Sequence, residues 1–157
     1  MILIGFHPRL YPSEFHKVSD LDSLKQHLQD KAVCDKHNKA QNKTQDEAPK
    51  AEYIIWFDAK DDVDFALCKY AQKEGIAFGV RVDNAYEFVA CAHFAPKYLL
   101  VSRDYKAYQN IADSYLLDSK VLAIFVEDEL GLIRFEGVIA DLAKDGIDGV
   151  INANKLQ

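Results

Sequence analysis

Residues 98–126 read YLLVSRDYKAYQNIADSYLLDSKVLAIFV, and this stretch contains one complete strand–helix–strand unit. The apolar run Tyr98–Val101 is followed by the polar turn Ser102–Asp104, an amphipathic segment and a second apolar run, Val121–Val126. Strands without polar alternation are typical of a sheet that is buried on both faces. The unit therefore predicts two parallel strands that are joined by a helical crossover.

The same unit recurs from Tyr53 to Ile151. Its apolar runs return roughly every 20 to 30 residues, the length of a strand, a helix and two short loops. The predicted strands are Ile2–Phe6, Ile54–Phe57, Ala77–Val82, Tyr98–Val101, Val121–Val126 and Gly149–Ile151, and the short segment Phe15–Val18 is a further candidate.

Amphipathic segments with helical spacing separate these runs. Ser19 is expected to open the first helix, with Asp22 at the spacing of a capping box. Gly75, Pro96 and Gly146 are expected to end later helices. The later apolar stripes are Val63-Ala66-Leu67-Tyr70-Ala71, Ala85-Phe88-Val89-Ala92-Ala95, Tyr108-Ile111-Ala112-Tyr115-Leu116 and Leu132-Phe135-Ile139-Leu142-Ala143.

Alternating strands and helices predict an α/β fold with a mostly parallel sheet. We favour a three-layer open sandwich of five or six strands. The alternative is half of a β/α barrel, which would need a partner to close it and would make the protein a homodimer. A complete barrel of eight units needs at least ~200 residues, whereas this chain has 157.

The chain is expected to form a single α/β domain, 1–157, with a polar insert at 30–50. The insert carries five lysines and four acidic residues and almost nothing to bury. Such a segment cannot offset its ordering entropy through burial. It is expected to be a disordered surface loop or a frayed helical extension, and an arm that binds a partner is the alternative.

Composition excludes several classes of protein. A net charge of −6 argues against nucleic-acid binding, which usually needs a basic excess. No stretch approaches the ~20 apolar residues that span a bilayer, so no membrane association is expected. Cys34, Cys68 and Cys91 lack metal or disulfide spacing. Reduced thiols and the absence of a signal sequence predict a cytoplasmic protein.

Polar side chains follow nearly every predicted strand, and in open parallel sheets ligands bind beyond these carboxyl ends. The arginines suit a carboxylate or phosphate, and converging carboxylates suit a magnesium ion, Mg²⁺. The candidate ligand-binding residues are Asp58, Arg81, Asp83, Arg103, Asp104, Glu127, Asp128 and His7.

Helix capping competes with ligand binding as the explanation for the acidic residues. Asp83 or Asn84 with Glu87 forms an approximate capping box, and Asp104 and Asp128 each precede a helix. Arg81 fits capping least, because it lies within an apolar run and needs an acidic partner. Asp58, Asp83 or Asp104 could supply that partner. Gly79, in the same run, is expected to mark a close approach of another backbone.

Specific catalytic motifs are absent. The chain has no G-x-G-x-x-G after a strand, no P-loop and no G-x-S-x-G elbow. Acidic strand ends are also found in phosphorelay receiver domains, but Val126-Glu127 stands where those domains carry a lysine. The catalytic residues are therefore unassigned.

The opening residues Met1–Phe6 with Tyr11-Pro12, and segments between Pro96 and Ile151, resemble a small family of epsilon-class proteobacterial proteins of the Helicobacter and Campylobacter type. The later segments are 96–101, 109–124 and 145–151. This resemblance implies a bacterial, cytosolic protein and carries no activity with it. Residues 82–101 and 146–151 also look like single units of phosphate-binding β/α barrels, which is an analogy of fold.

The function predicted first is a cytoplasmic α/β protein that binds a small ligand or a protein partner at the carboxyl ends of its strands. The alternative is a divalent-metal-dependent hydrolase or lyase that acts on a phosphorylated or carboxylated small molecule. In that alternative Arg81 or Arg103 would bind the anion. The metal would lie among Asp58, Asp83, Asp104 and Asp128.

Overall fold

All seven strands of the sheet run in the same direction. The computed structural model describes residues 1–6, 11–39, 51–126 and 131–157, and the backbone alone for 31–39 and 131–135. The strand order is β1-β7-β6-β5-β4-β3-β2, and each of the six pairings is parallel. The strands are β1 (Ile2–Ile4), β2 (Ser13–Lys17), β3 (Glu52–Asp58), β4 (Phe78–Val82), β5 (Tyr98–Val101), β6 (Lys120–Phe125) and β7 (Gly149–Asn152).

Helices connect most of the strands and begin at their carboxyl ends. They are α1 (Leu21–Lys39), α2 (Ala66–Lys73), α3 (Ala85–Ala92), α4 (Tyr105–Ser114) and α5 (Gly131–Lys144). Two short 3₁₀ turns, Ala59–Asp61 and Val63–Phe65, precede α2, and a third, Ala153–Leu156, follows β7. The order of elements thus repeats the strand–helix unit that the apolar runs predict.

The two faces of the sheet are buried differently. One face packs against the helices, with Leu24, Cys68, Phe88 and Tyr108 in one cluster and Leu142 in a neighbouring one. The other face carries a cluster built from strand side chains, to which the C-terminal turn adds a residue. This strand-lined cluster contains Ile4, Phe15, Ile54, Trp56, Tyr98, Leu100, Leu122 and Ile151, with Leu156 packed against it.

The strand-lined face is concave. The rings of Phe15 on β2 and Tyr98 on β5 are 5.9 Å apart, although three strand steps would separate them by about 14 Å in a flat sheet. The sheet therefore curls into a half-barrel, with its helices around the outside. We call its inner side the concave face.

The alternative prediction of a half β/α barrel is thereby confirmed, and the preferred open sandwich of five or six strands is wrong. Unbroken apolar runs show that both faces of a strand are buried, but not whether helices or other strands bury them. The chain also reaches seven strands, because the short segments near Ile2 and Phe15 both join the sheet. The accompanying homodimer stays a prediction.

The two ends of the described chain meet at one edge of the half-barrel. β1 pairs with β7, and Ile2 lies opposite Gly149. The C-terminal turn contacts both β7 and β2. Gly5, with a φ of +84°, leaves the room that the Lys155 side chain occupies, since a Cβ there would lie 2.6 Å from Lys155 Cγ.

The first helix differs from its predicted form at both ends. Asp20 caps it instead of Ser19: Asp20 Oδ1 accepts from the Ser23 amide at 2.7 Å, and the Ser23 hydroxyl accepts from the Asp20 amide at 3.2 Å. The helix continues to Lys39, so the first part of the polar insert 30–50 is helical. Residues 40–50 lie outside the described residues.

Some predicted stripe residues are exposed. Val63, Val89, Tyr115 and Leu116 are all at least half exposed. Val63, Tyr115 and Leu116 lie beyond the ends of α2 and α4, which are shorter than the stripes suggest. The predicted glycine stops are confirmed: Gly75 and Gly146 adopt φ values of +63° and +79° directly after α2 and α5. Within the described ranges no helix is long and apolar enough to cross a bilayer.

Candidate functional site

Three charged side chains gather where β2, β3 and β4 end. They are Lys17, Asp58 and Arg81, which we call the charged trio. Side chains alternate between the two faces of a strand. Because Phe15 and Trp56 belong to the concave cluster, Lys17 and Asp58, two residues further along the same strands, face the concave side as well. Arg81 lies opposite Asp58 in the register.

Asp58 is the centre of the charged trio. Its side chain is 5 % exposed, and each carboxylate oxygen meets a different cation. Lys17 Nζ lies 3.4 Å from Oδ2, and Arg81 Nε contacts Oδ1. Two positive charges and one negative charge leave the trio with a net charge of +1. The strand ends therefore present a positive site on a protein that is negative overall.

The two cations remain accessible from solvent. The side chain of Lys17 is 47 % exposed and that of Arg81 is 33 % exposed. Arg81 uses its inner nitrogen, Nε, for Asp58. No described residue accepts a hydrogen bond from its Nη1 or Nη2. An arginine held in this way presents two parallel donors, which match the oxygens of a carboxylate or phosphate.

Trp56 lies directly beneath the charged trio on the concave face. Its side chain is 1 % exposed, and Lys17 Nζ lies 5.0 Å from the centroid of its ring. Its Nε1 is buried and has no hydrogen-bond partner among the described residues. Buried donors are rarely left without an acceptor. Trp56 therefore adds a polar group with unused bonding capacity next to the charged trio.

Gly79 is the register partner of Trp56 on β4. The expectation that it marks a close backbone approach is wrong. A Cβ built at this position would meet Leu100 Cδ1, Tyr98 Cβ and Tyr98 O at an ordinary 3.7 Å. The missing side chain therefore leaves room for one methyl group on the concave face, in contact with Leu100 and Tyr98.

Asp83 and Arg103 form a second contact at the carboxyl edge. Arg103 Nη2 donates to the backbone oxygen of Asp83 at 3.1 Å. The predicted capping box is confirmed: Asn84 Oδ1 accepts from the Glu87 amide at 2.9 Å, and Glu87 Oε2 accepts from the Asp83 amide at 2.8 Å. This loop is thus held by its own helix.

Asp104 lies at the start of α4, but its side chain makes no capping hydrogen bond, so that expectation is wrong. Its φ is +52°, and it borders an open cavity of about 510 Å³ on the helical side of the molecule. Lys106, paired with Asp145 at 2.7 Å, lines the same cavity. The remaining candidates, His7, Glu127 and Asp128, lie outside the described residues.

The described carboxylates do not form a metal centre. In the part of the chain that the structure describes, no three His, Cys, Asp or Glu side chains are placed to hold a metal ion. Asp62, just after β3, caps α2 with both oxygens, which accept from the Leu67 amide at 2.7 Å and the Cys68 amide at 3.1 Å. Capping thus accounts for this buried carboxylate.

The opposite side of the sheet, where the strands begin, carries structural ion pairs. Lys97 contacts the carboxylate of Glu52, and Lys120 lies 3.6 Å from Asp148. Burial raises the pKa of the neighbouring Tyr98 phenol, which the positive charge of Lys97 partly counteracts. In β/α barrels this edge usually serves stability while the carboxyl edge carries the chemistry.

The buried thiols serve packing. Cys68 on α2 and Cys91 on α3 are both fully buried. Contact with Cys91, followed by burial, raises the pKa of the Cys68 thiol. The thiolate is the reactive form of cysteine, so the Cys68 thiol is poorly suited to nucleophilic chemistry.

Comparison with known proteins adds no family to this geometry. No protein-family model matches the chain, and neither the curated proteins nor the solved structures contain a match. The resemblance to epsilon-class proteobacterial proteins therefore stays a prediction, and the function has to be argued from the site.

Sequence reasoning identified Asp58 and Arg81 but missed Lys17 and Trp56. Lys17 follows Phe15 at the two-residue spacing of a strand, and it ends β2 as Asp58 ends β3. That signal was available, but it depends on accepting β2 as a strand. Trp56 looked like an ordinary core residue, because the sequence does not show whether a buried N–H has a hydrogen-bond acceptor.

Proposed function

We propose that the protein binds a small molecule with an acidic group, a phosphate or a carboxylate, at the charged trio. The observation that supports this most directly is the arrangement of Lys17 and Arg81 on either side of the buried Asp58. Asp58 fixes the positions of both cations without neutralising them fully. A site that is already positioned binds an anion with less loss of side-chain freedom.

A small ligand fits this site better than a protein surface does. The centre of the trio is buried, and Trp56 beneath it is almost completely enclosed. A flat protein surface could reach Lys17 and Arg81 only from outside, and it could not use the donor below them. We also propose, as the sequence predicts, that the protein is bacterial and cytoplasmic.

The test is a titration with inorganic phosphate and with acetate, followed by calorimetry and by the fluorescence of Trp56. This residue is the chain's single tryptophan, so a change in its emission reports on the site directly. Each of the variants Lys17→Met and Arg81→Met is expected to weaken binding about tenfold or more, since each removes a hydrogen bond to a charged group. Arg81→Lys keeps the charge but loses the fork and should also bind more weakly.

Lys106→Met is the matched control. Lys106 is also an exposed lysine paired with an aspartate, but it lies on α4. It should bind both anions like the unmodified protein. If neither anion binds, or if the Lys17 and Arg81 variants bind as well as the Lys106 variant, the proposed function is wrong.

A further inference from the structure

The indole N–H of Trp56 is a buried polar group, and the binding of an anion at the charged trio does not explain it. On β3 the residues Ile54, Trp56 and Asp58 succeed one another on the concave face. Trp56 therefore lies one inward position below the centre of the trio. Its Nε1 has no acceptor among the described residues, although the side chain is 1 % exposed.

The neighbouring strand carries a glycine at the same level. Gly79 pairs with Trp56 in the register, and its φ lies outside the positive range that favours glycine. A methyl group there would make only ordinary contacts. Neither backbone conformation nor crowding therefore requires glycine at this position. The room for one methyl group at this position lies on the concave face at the level of Trp56.

We infer that Trp56 Nε1 donates a hydrogen bond to a neutral oxygen of the same ligand whose acidic group binds Lys17 and Arg81. This inference rests on the proposed function and narrows its ligand class. The ligand then carries a hydroxyl or carbonyl oxygen as well as its phosphate or carboxylate. Two residues along a strand rise by about 7 Å, so a chain of three or four carbon atoms can reach both levels.

The indole N–H of Trp56 would determine which of several anions binds most tightly. A site that offers a buried donor binds poorly any analogue that leaves this donor unpaired, because the donor has already lost its contact with water. The charged trio would supply attraction for any small anion. Trp56 would then select those anions that also present an acceptor at the right depth.

Calorimetry with two pairs of small ligands tests whether the protein prefers an anion that also carries a hydroxyl group. Propyl phosphate and glycerol 3-phosphate differ in the hydroxyl groups, and propionate and glycerate provide the same contrast for a carboxylate. The unmodified protein should bind the hydroxylated member of one pair about five- to tenfold more tightly, the value of one neutral hydrogen bond. Trp56→Phe keeps an aromatic ring but removes the N–H, and it should bind both members equally.

Gly79→Ala gives an independent variant in case Trp56→Phe folds poorly. Its added methyl group would lie on the concave face at the level of Trp56, so it should reduce the preference for the hydroxylated ligand while the plain anion still binds. Lys106→Met should keep the full preference. Thermal unfolding without ligand verifies that each variant is folded.

The outcomes separate the two proposals. Equal binding of both members of each pair to the unmodified protein would overturn the role of Trp56 and leave the anion site intact. A preference that survives in both Trp56→Phe and Gly79→Ala would overturn it as well. Failure of all four ligands to bind would overturn the proposed function, and this inference with it.

Discussion

Asp58 lies directly opposite Arg81 in the register of β3 and β4, and Arg81 Nε contacts Oδ1 of the buried carboxylate. The same carboxylate meets Lys17 from the other side. A single acidic residue thus separates two cations that would otherwise repel each other at the mouth of the half-barrel. The stability of this region should depend on Asp58 more than on either cation.

Asp58→Ala is therefore expected to lower the free energy of unfolding by about 1–3 kcal/mol, less than for a fully buried pair because both cations are partly exposed. Urea unfolding measures this loss. Adding Lys17→Met to Asp58→Ala should restore part of it, because one of the two uncompensated charges is then gone. A loss below about 0.5 kcal/mol would show that the carboxylate has no such role.

Gly149→Ala is expected to be strongly destabilising. A Cβ at this position would lie 2.5 Å from the backbone oxygen of Ile2 and 2.8 Å from Leu122 Cδ2, so β1 would have to move. Overpacking of this kind costs about 1–3 kcal/mol or more. Gly79→Ala is the matched control and should be neutral or slightly stabilising. Equal melting temperatures for the two variants would contradict the close approach of β1 and β7.

Asp62→Ala should destabilise α2 by about 1–2 kcal/mol, because the amides of Leu67 and Cys68 lose their acceptors at a buried helix start. Asp61 is an exposed neighbour in the preceding 3₁₀ turn. Asp61→Ala should change the free energy of unfolding by no more than about 0.5 kcal/mol. Chemical denaturation measures the free energy of unfolding of both variants. Indistinguishable midpoints would argue against the capping role of Asp62.

Stability should fall at alkaline pH, in part through Tyr98. Burial raises the folded-state pKa of this phenol above its ordinary value of 10.0. Its contribution is therefore complete below pH 10.0 and is lost as the pH rises through the folded-state pKa. Tyr98→Phe should flatten this loss in urea unfolding between neutral and alkaline pH. Tyr86→Phe, on the exposed side of α3, should keep the unmodified slope.

The repeat of strands and helices could be predicted because each strand core is an unbroken apolar run. The curl of the sheet could not, since Ile54 and Ile55 are both fully buried although one faces the barrel interior and the other faces helices. The pair of Asp58 and Arg81 was predictable, because a charge within an apolar run requires a partner. The third member, Lys17, depends on a short edge strand whose sequence signal is weak.

The pairing of β1 with β7 has a consequence for how the protein is made. Residue 149 is synthesised 147 residues after its partner, residue 2. Until β7 is synthesised, Ile4 has no neighbouring strand, and the apolar interior stays open on that side. Closure of this edge therefore has to wait for the synthesis of β7, and until then the nascent chain exposes an unpaired strand and apolar surface that are prone to aggregation.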